Sequence, residues 1–180
     1  LDASFTLENY DVETGTEAYK HGIATLPFVT EDRTPELLCD KVQQEVTTLL
    51  NDGKFPVTIG GNHTVSIGAI RAMAQKYNNL TVLQLDAHSD LRPSYEGSEL
   101  NHACVMNRAA EVVKITQVGI RSQCVEELPF FEKDRLFYAH QIFDNNNWQA
   151  KAIDTLTENV YVTIDLDVFD PSVLPSTGTP

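Results

Sequence analysis

The chain has 180 residues, 42% of them hydrophobic, which is enough for one domain with a substantial core. Lysine and arginine total 13 against 26 acidic residues, a formal charge of −13 that argues against nucleic acid and anionic membranes as partners and is compatible with a small cationic substrate. No apolar run approaches the length that spans a bilayer, and Cys39, Cys104 and Cys124 match no zinc or disulfide spacing, so buried thiols in a reducing cytoplasm are expected.

Residues 1–33 carry the weakest pattern. Phe5 and Leu7 alternate with polar neighbours as in a strand, and loops are expected around Gly15 and Gly22. Thr34-Pro35-Glu36 has the form of a helix start, with a Thr cap, Pro at the first helical position and an acid in the first turn. Leu37, Leu38, Val42, Val46, Leu49 and Leu50 then recur at helical spacing, and the helix should stop near Asp52-Gly53. Phe55 to Ile59 reads as a short buried strand running into Gly60-Gly61-Asn62-His63. From Thr64, the apolar residues Val65, Ile67, Ala69, Ile70 and Met73 mark a second helix to about Tyr77.

Leu80–Leu85 is apolar and β-prone, as in a buried parallel strand. A polar loop from Leu91 to Glu99 follows, then a helix over Asn101–Val113 and a strand over Lys114–Ile120. The pattern next predicts a short helix over Cys124–Glu132, a short strand over Leu136–Ala139, a helix over Trp148–Leu156 and a strand over Val160–Ile164. Helices alternating with strands are the mark of an α/β fold whose parallel sheet is covered on both faces. No repeat, linker or low-complexity tract divides the chain, so residues 1–180 are expected to form a single domain.

Three of these strands end in chemically unusual residues. His63 follows the first, after two glycines that let the backbone turn sharply. Asp86, His88 and Asp90 follow the second at every other position, which in extended chain directs them to one side. Asp165 and Asp167 follow the last in the same spacing, before Asp170-Pro171 breaks the extension. Singly, each has an ordinary explanation: a loop histidine, a helix-capping aspartate, a turn. Together, four carboxylates and two imidazoles without a cysteine suit hard or borderline divalent ions such as Mn²⁺. They are too many for one ion that keeps an open position, and fit a pair sharing bridging carboxylates. Open α/β sheets bind ligands at this carboxyl edge.

These segments resemble the three signatures of the ureohydrolases, the family of arginase and agmatinase. They are Gly60-Gly61-Asn62-His63, Asp86-Ala87-His88-Ser89-Asp90, and Thr163-Ile164-Asp165-Leu166-Asp167-Val168-Phe169-Asp170-Pro171 with Pro175 and Gly178-Thr179-Pro180. Tyr95-Glu96-Gly97 through Asn101-His102-Ala103-Cys104-Val105-Met106 is more similar to agmatinases than to arginases. The resemblance implies a three-layer α/β/α fold with an eight-stranded, mainly parallel sheet. About half a dozen strands are legible here, so it also implies the incomplete central portion of a longer protein. It implies one Mn²⁺ on His63, Asp86, Asp90 and Asp165, and another on His88, Asp86, Asp165 and Asp167. The hydroxide they generate would attack a guanidinium carbon, most simply that of agmatine, giving urea and putrescine. By the same resemblance, Asp90 would move the proton toward the leaving nitrogen, His102 would relay protons with bulk water, and the protein would be a trimer or hexamer. Two positions depart from the family pattern. Asn62 stands where many members carry an acid, which removes a charge near His63, and Thr163 replaces the commoner Ser.

The alternatives are another ureohydrolase (an arginase, guanidinobutyrase or formimidoylglutamase), a metallophosphoesterase, and a metal-binding homologue without catalysis. Gly61-Asn62-His63 invites the comparison with metallophosphoesterases, but there an Asp-x-His segment precedes the Gly-Asn-His segment, the reverse of the order here. His21 and His140 have no pairing residues nearby and are read as ordinary loop or surface histidines.

Overall fold

A computed structural model describes residues 6–31 and 33–179. In chain order its main elements are α1 (Pro35–Asn51), α2 (Val65–Lys76), β1 (Leu80–Leu85), α3 (Val105–Ala110) and β2 (Lys114–Ile120). After these come β3 (Leu136–Tyr138), α4 (Ala139–Phe143), α5 (Trp148–Asp154) and β4 (Asn159–Ile164). The four strands are parallel and lie in the order β3-β2-β1-β4. β1 is therefore the point where successive strands leave to opposite sides, and the crevice beyond its carboxyl end is where an open α/β sheet receives a ligand.

The first helix forms as its sequence predicts. The Thr34 hydroxyl accepts a bond from the Leu37 amide at 3.3 Å, Pro35 opens the first turn, and Cys39, Val42, Val46 and Leu50 make the buried stripe. Cys39, Ile67, Ile70, Val105 and Met106 pack on Val82 and Ile115, so α1, α2 and α3 lie over one face of the sheet. The other face is reached on the β2 side, where the Thr116 hydroxyl meets that of Thr155, at the end of α5, at 2.7 Å. On β4 this face stays open: Val162 and Ile164 are 50% and 55% exposed.

Several expectations are corrected. Phe55–Ile59 is not a buried strand. No described strand pairs with it, and Phe55, Val57 and Ile59 are all exposed. A strand holds its shape only through a partner's backbone hydrogen bonds, which local apolarity cannot supply. The helix read over Asn101–Val113 shrinks to a 3-10 turn at His102–Cys104 followed by α3. The reason lies at its start, where the amides of Met106 and Asn107 bond back to the Asp90 carbonyl. Cys124–Glu132 gives only a 3-10 turn, Val125–Glu127, because the Glu127 carboxylate folds back onto the Cys124 amide. Phe5 lies outside the described residues, and Leu7 is exposed and in no strand. Cys39 and Cys104 are buried as expected, whereas Cys124 is only partly so; all three are free thiols. No helix among the described residues is long and apolar enough to cross a membrane.

Gly68 sets how closely α2 approaches α1. A Cβ there would strike the Cys39 carbonyl oxygen and lie 2.9 Å from the Gln43 backbone nitrogen. Alanine at an ordinary helical position is worth about 1 kcal/mol over glycine, but here the two backbones must separate. Gly68→Ala should therefore lower stability by about 1–3 kcal/mol, read as a fall in the midpoint of denaturant unfolding. A rise in the midpoint would refute the close-contact role.

Candidate metal centre

The site is built from what happens just beyond two strands, β1 and β4, and at the start of α2. β1 ends at Leu85, and the Asp86 amide bonds to the Val118 carbonyl of β2 at 3.1 Å, so Asp86 is still tied to the sheet when its side chain turns into the pocket. Beyond β4, the Asp165 amide bonds to the Leu85 carbonyl at 2.9 Å and brings its segment alongside. His63 arrives from the opening turn of α2, where the Asn62 side-chain oxygen receives the Thr64 amide at 3.0 Å and the Thr64 hydroxyl at 2.6 Å. Asn62 thus shapes the turn rather than supporting the His63 ring. That support comes from Thr163 on β4, whose hydroxyl lies 2.9 Å from His63 Nε2.

The side chains converge. His63 Nδ1 lies 2.8 Å from Asp90 Oδ2, 3.3 Å from Asp86 Oδ2 and 3.8 Å from Asp165 Oδ2. His88 Nδ1 lies 2.9 Å from Asp167 Oδ2 and 3.8 Å from Asp86 Oδ1. Two three-residue groups result, His63–Asp86–Asp90 and Asp86–His88–Asp167, which share Asp86 through its two oxygens. Donor atoms that each sit about 2.0–2.2 Å from one small divalent ion lie roughly 3 Å from one another, so this donor set fits a pair of cations. Asp165 accepts the Asp167 amide at 3.3 Å and faces the same pocket, but falls outside both groups in this arrangement. His102 lines the pocket wall with its ring edge-on to Tyr95, centroids 5.6 Å apart. The pocket has a volume of about 520 Å³ and is also bordered by Arg92, Cys124 and Glu127.

Hydrogen bonding fixes how the clustered side chains point. Gln84, buried in β1, donates to Asp86 Oδ2 at 2.7 Å and to the His88 carbonyl at 3.1 Å, and is itself held by buried Gln117 of β2. The Ala87 amide donates to Asp167 Oδ1 at 3.1 Å, which ties the β1 and β4 segments together. With Thr163 on its Nε2, His63 is free to present Nδ1 as a ligand. Sequence reading missed Gln84, Gln117 and Glu127; the one signal for the two glutamines is a polar residue interrupting an otherwise apolar strand.

The electrostatics are those of a site built for positive charge. Burial alone would push the His63 imidazole down, yet the bonds to Asp86 and Asp90 outweigh it and push it up to about 10. The bond to Asp86 likewise raises His88, to about 9, against its burial. Asp86, despite burial that would raise it, is held well below the ordinary carboxylate range by the two histidines. Burial raises Asp90 to about 6, and raises Asp167 as well.

A sequence model of the arginase family matches residues 1–180. The chain is 40% identical to the N(1)-aminopropylagmatine ureohydrolase of Synechocystis, over all of this chain and 62% of that protein. It is 36% identical to the agmatinase of Bacillus subtilis, over 88% of this chain and 54% of the relative. The chain thus spans less than two thirds of the length of these relatives. The crystal structure of the agmatine ureohydrolase of Thermoplasma volcanium superimposes with a TM-score of 0.87 at 32% identity, covering 99% of this chain and 62% of that one. Arginase from Bacillus cereus superimposes with a TM-score of 0.70 at 27% identity, over 81% and 59% of the two chains.

The raised histidines give the site a definite pH response. Without a cation, the stability they lend the fold is fully present below their ordinary value near 6.5 and is lost as pH rises through about 9 and about 10. A divalent ion must displace those protons, so its binding runs the other way and tightens as pH rises. The apparent affinity for Mn²⁺ should increase by roughly tenfold per pH unit for each proton released between about pH 6 and pH 8. Calorimetry in buffers of different ionisation enthalpy would count the protons; an affinity flat across that window would remove both histidines from the ligand set.

Proposed function

The chain belongs to the arginase family, and from that footing we propose that it forms the metal-binding core of a ureohydrolase that cleaves agmatine to putrescine and urea. The observation that carries the reading is the shared carboxylate: two His/Asp groups meet at Asp86 on the floor of one acidic pocket. His63, Asp86 and Asp90 would hold one cation and His88, Asp86 and Asp167 the other, with Asp165 completing both. Mn²⁺ is the ion we expect. When bound, the cations supply a hydroxide at neutral pH.

The protein's own groups account for the rest. The carboxylates draw a planar guanidinium into the pocket and fix its orientation, and the surplus of negative charge disfavours phosphate esters. Water adds across the guanidinium carbon, the bond to the alkyl nitrogen breaks, and the products are urea and a protonated amine. Asp90 takes the proton of the attacking water and passes it to the leaving nitrogen; its burial against His63 supports this role. His102, on the pocket wall, exchanges protons with bulk solvent. Membership in the arginase family, together with the motif order, decides against the metallophosphoesterase reading.

The names of the relatives also bear on the substrate's tail. The B. subtilis relative is an agmatinase and the Synechocystis one acts on N(1)-aminopropylagmatine, so both substrates belong in the test. With Mn²⁺ added to the full-length protein, urea release from agmatine or its aminopropyl derivative should exceed that from arginine or 4-guanidinobutyrate. Faster turnover of arginine would reject the agmatinase assignment. Asp90→Asn should lower kcat by at least about 100-fold with a smaller change in KM, the scale expected for a lost general base.

A further inference from the structure

Asp90 poses a problem that its role as a ligand does not solve. Its φ is 51°, in the left-handed region that residues other than glycine seldom enter, aspartate being among those that do so most readily. It is also only 7% exposed. A strained, buried carboxylate keeps its aim only if the chain on both sides of it is held.

Both sides are held by the same side chain. Glu127, 4% exposed, accepts the Ser89 hydroxyl at 2.8 Å and the Leu91 amide at 2.8 Å on one carboxylate oxygen, and the Cys124 amide at 2.6 Å on the other. Capping its own turn would need only the last of these bonds. The other two go to the residues immediately before and after Asp90. The Asp90 carbonyl is meanwhile bound by the Met106 and Asn107 amides at 3.0 and 3.2 Å, so the peptide cannot rotate without breaking bonds on both sides.

We propose that Glu127 is a positioning residue: it clamps Ser89 and Leu91 so that Asp90 keeps the left-handed conformation that aims its carboxylate at the cation shared with His63 and Asp86. This rests on the reading of the site as a metal centre. Without the clamp, the Leu91 amide and Ser89 hydroxyl lose their acceptor, and Asp90 relaxes toward negative φ, which swings its carboxylate away from His63. The second group, Asp86–His88–Asp167, does not include Asp90 and is spared.

The test uses the full-length protein and Mn²⁺ alone, with free Mn²⁺ followed by electron paramagnetic resonance as the two ions bind. Glu127→Ala should weaken one binding step by about 10–100-fold and leave the other within about twofold, the usual scale for losing a group that orients a ligand. Glu127→Gln, whose amide oxygen can still receive Ser89 and Leu91, should recover part of the loss. Thr116→Val, which removes a buried hydroxyl bonded to Thr155 on the opposite face of the sheet, should lower the melting temperature without altering either step. Equal weakening of both steps by Glu127→Ala, or no weakening of either, overturns the proposal. If Glu127→Ala does not fold, Ser89→Ala removes one arm of the clamp and should weaken the same step by about 3–10-fold; unchanged binding then overturns it. Selective loss of one Mn²⁺ in a protein that releases urea from no guanidine would support the clamp while refuting the substrate reading. Failure of the unaltered protein to bind Mn²⁺ would refute both.

Discussion

Asp86 and Asp90 sit side by side at the bottom of a pocket, both almost wholly out of water. Two carboxylates in that setting repel, and burial penalises each charge separately, so positive charge must stand among them. His63 touches both, and His88 lies against Asp86 and Asp167. Protonated imidazoles can satisfy the cluster, and so can divalent cations. The choice between them is the chemistry of the site. The same geometry that lifts the histidines to about 10 and about 9 keeps them protonated at neutral pH, so a cation can take their nitrogens only by displacing those protons.

The fold holds this cluster together by spending sheet interior on polar residues. Gln84 and Gln117 occupy facing positions on β1 and β2 where aliphatic side chains would pack with less risk. A buried amide is tolerated only when its hydrogen bonds are met, and here they run from Gln117 to Gln84 and on to Asp86 and the His88 carbonyl. The chain of bonds transmits the register of the sheet to the orientation of the Asp86 carboxylate. Thr163 does the same for His63 from the other side of β1.

How much of this is legible in the sequence depends on the range of the interaction. The helix at Pro35–Asn51 and the strand at Leu80–Leu85 follow from local pattern, because capping and apolar runs act over a few residues. The clustered residues His63, Asp86, His88, Asp90 and Asp167 could be picked out from spacing beyond apolar segments, since every-other-residue alternation has a direct geometric meaning. Phe55–Ile59 has the composition of a strand but no described partner, and no local pattern reveals whether a partner is there. Glu127 was invisible for the opposite reason. Inside Glu126-Glu127 it reads as a solvated acidic pair, and its bonds to Ser89 and Leu91 span more than thirty-five residues.

Asn62 and Thr163 show how one departure from a family pattern can be absorbed while another gains weight. A charged residue at 62 would be expected to brace the neighbouring histidine, yet Asn62 spends its side-chain oxygen on the Thr64 amide and hydroxyl, which shapes the turn into α2. His63 is then held at Nε2 from the sheet, by a hydroxyl on β4, and at Nδ1 by Asp90, so its aim depends in part on the β1–β4 pairing. That pairing also brings Asp165 beside Leu85 and Asp167 against the Ala87 amide. A shift of β4 by one residue would therefore turn Thr163 to the other face and displace both aspartates at once. The His/Asp cluster and the strand register are one constraint, and neither can change without the other.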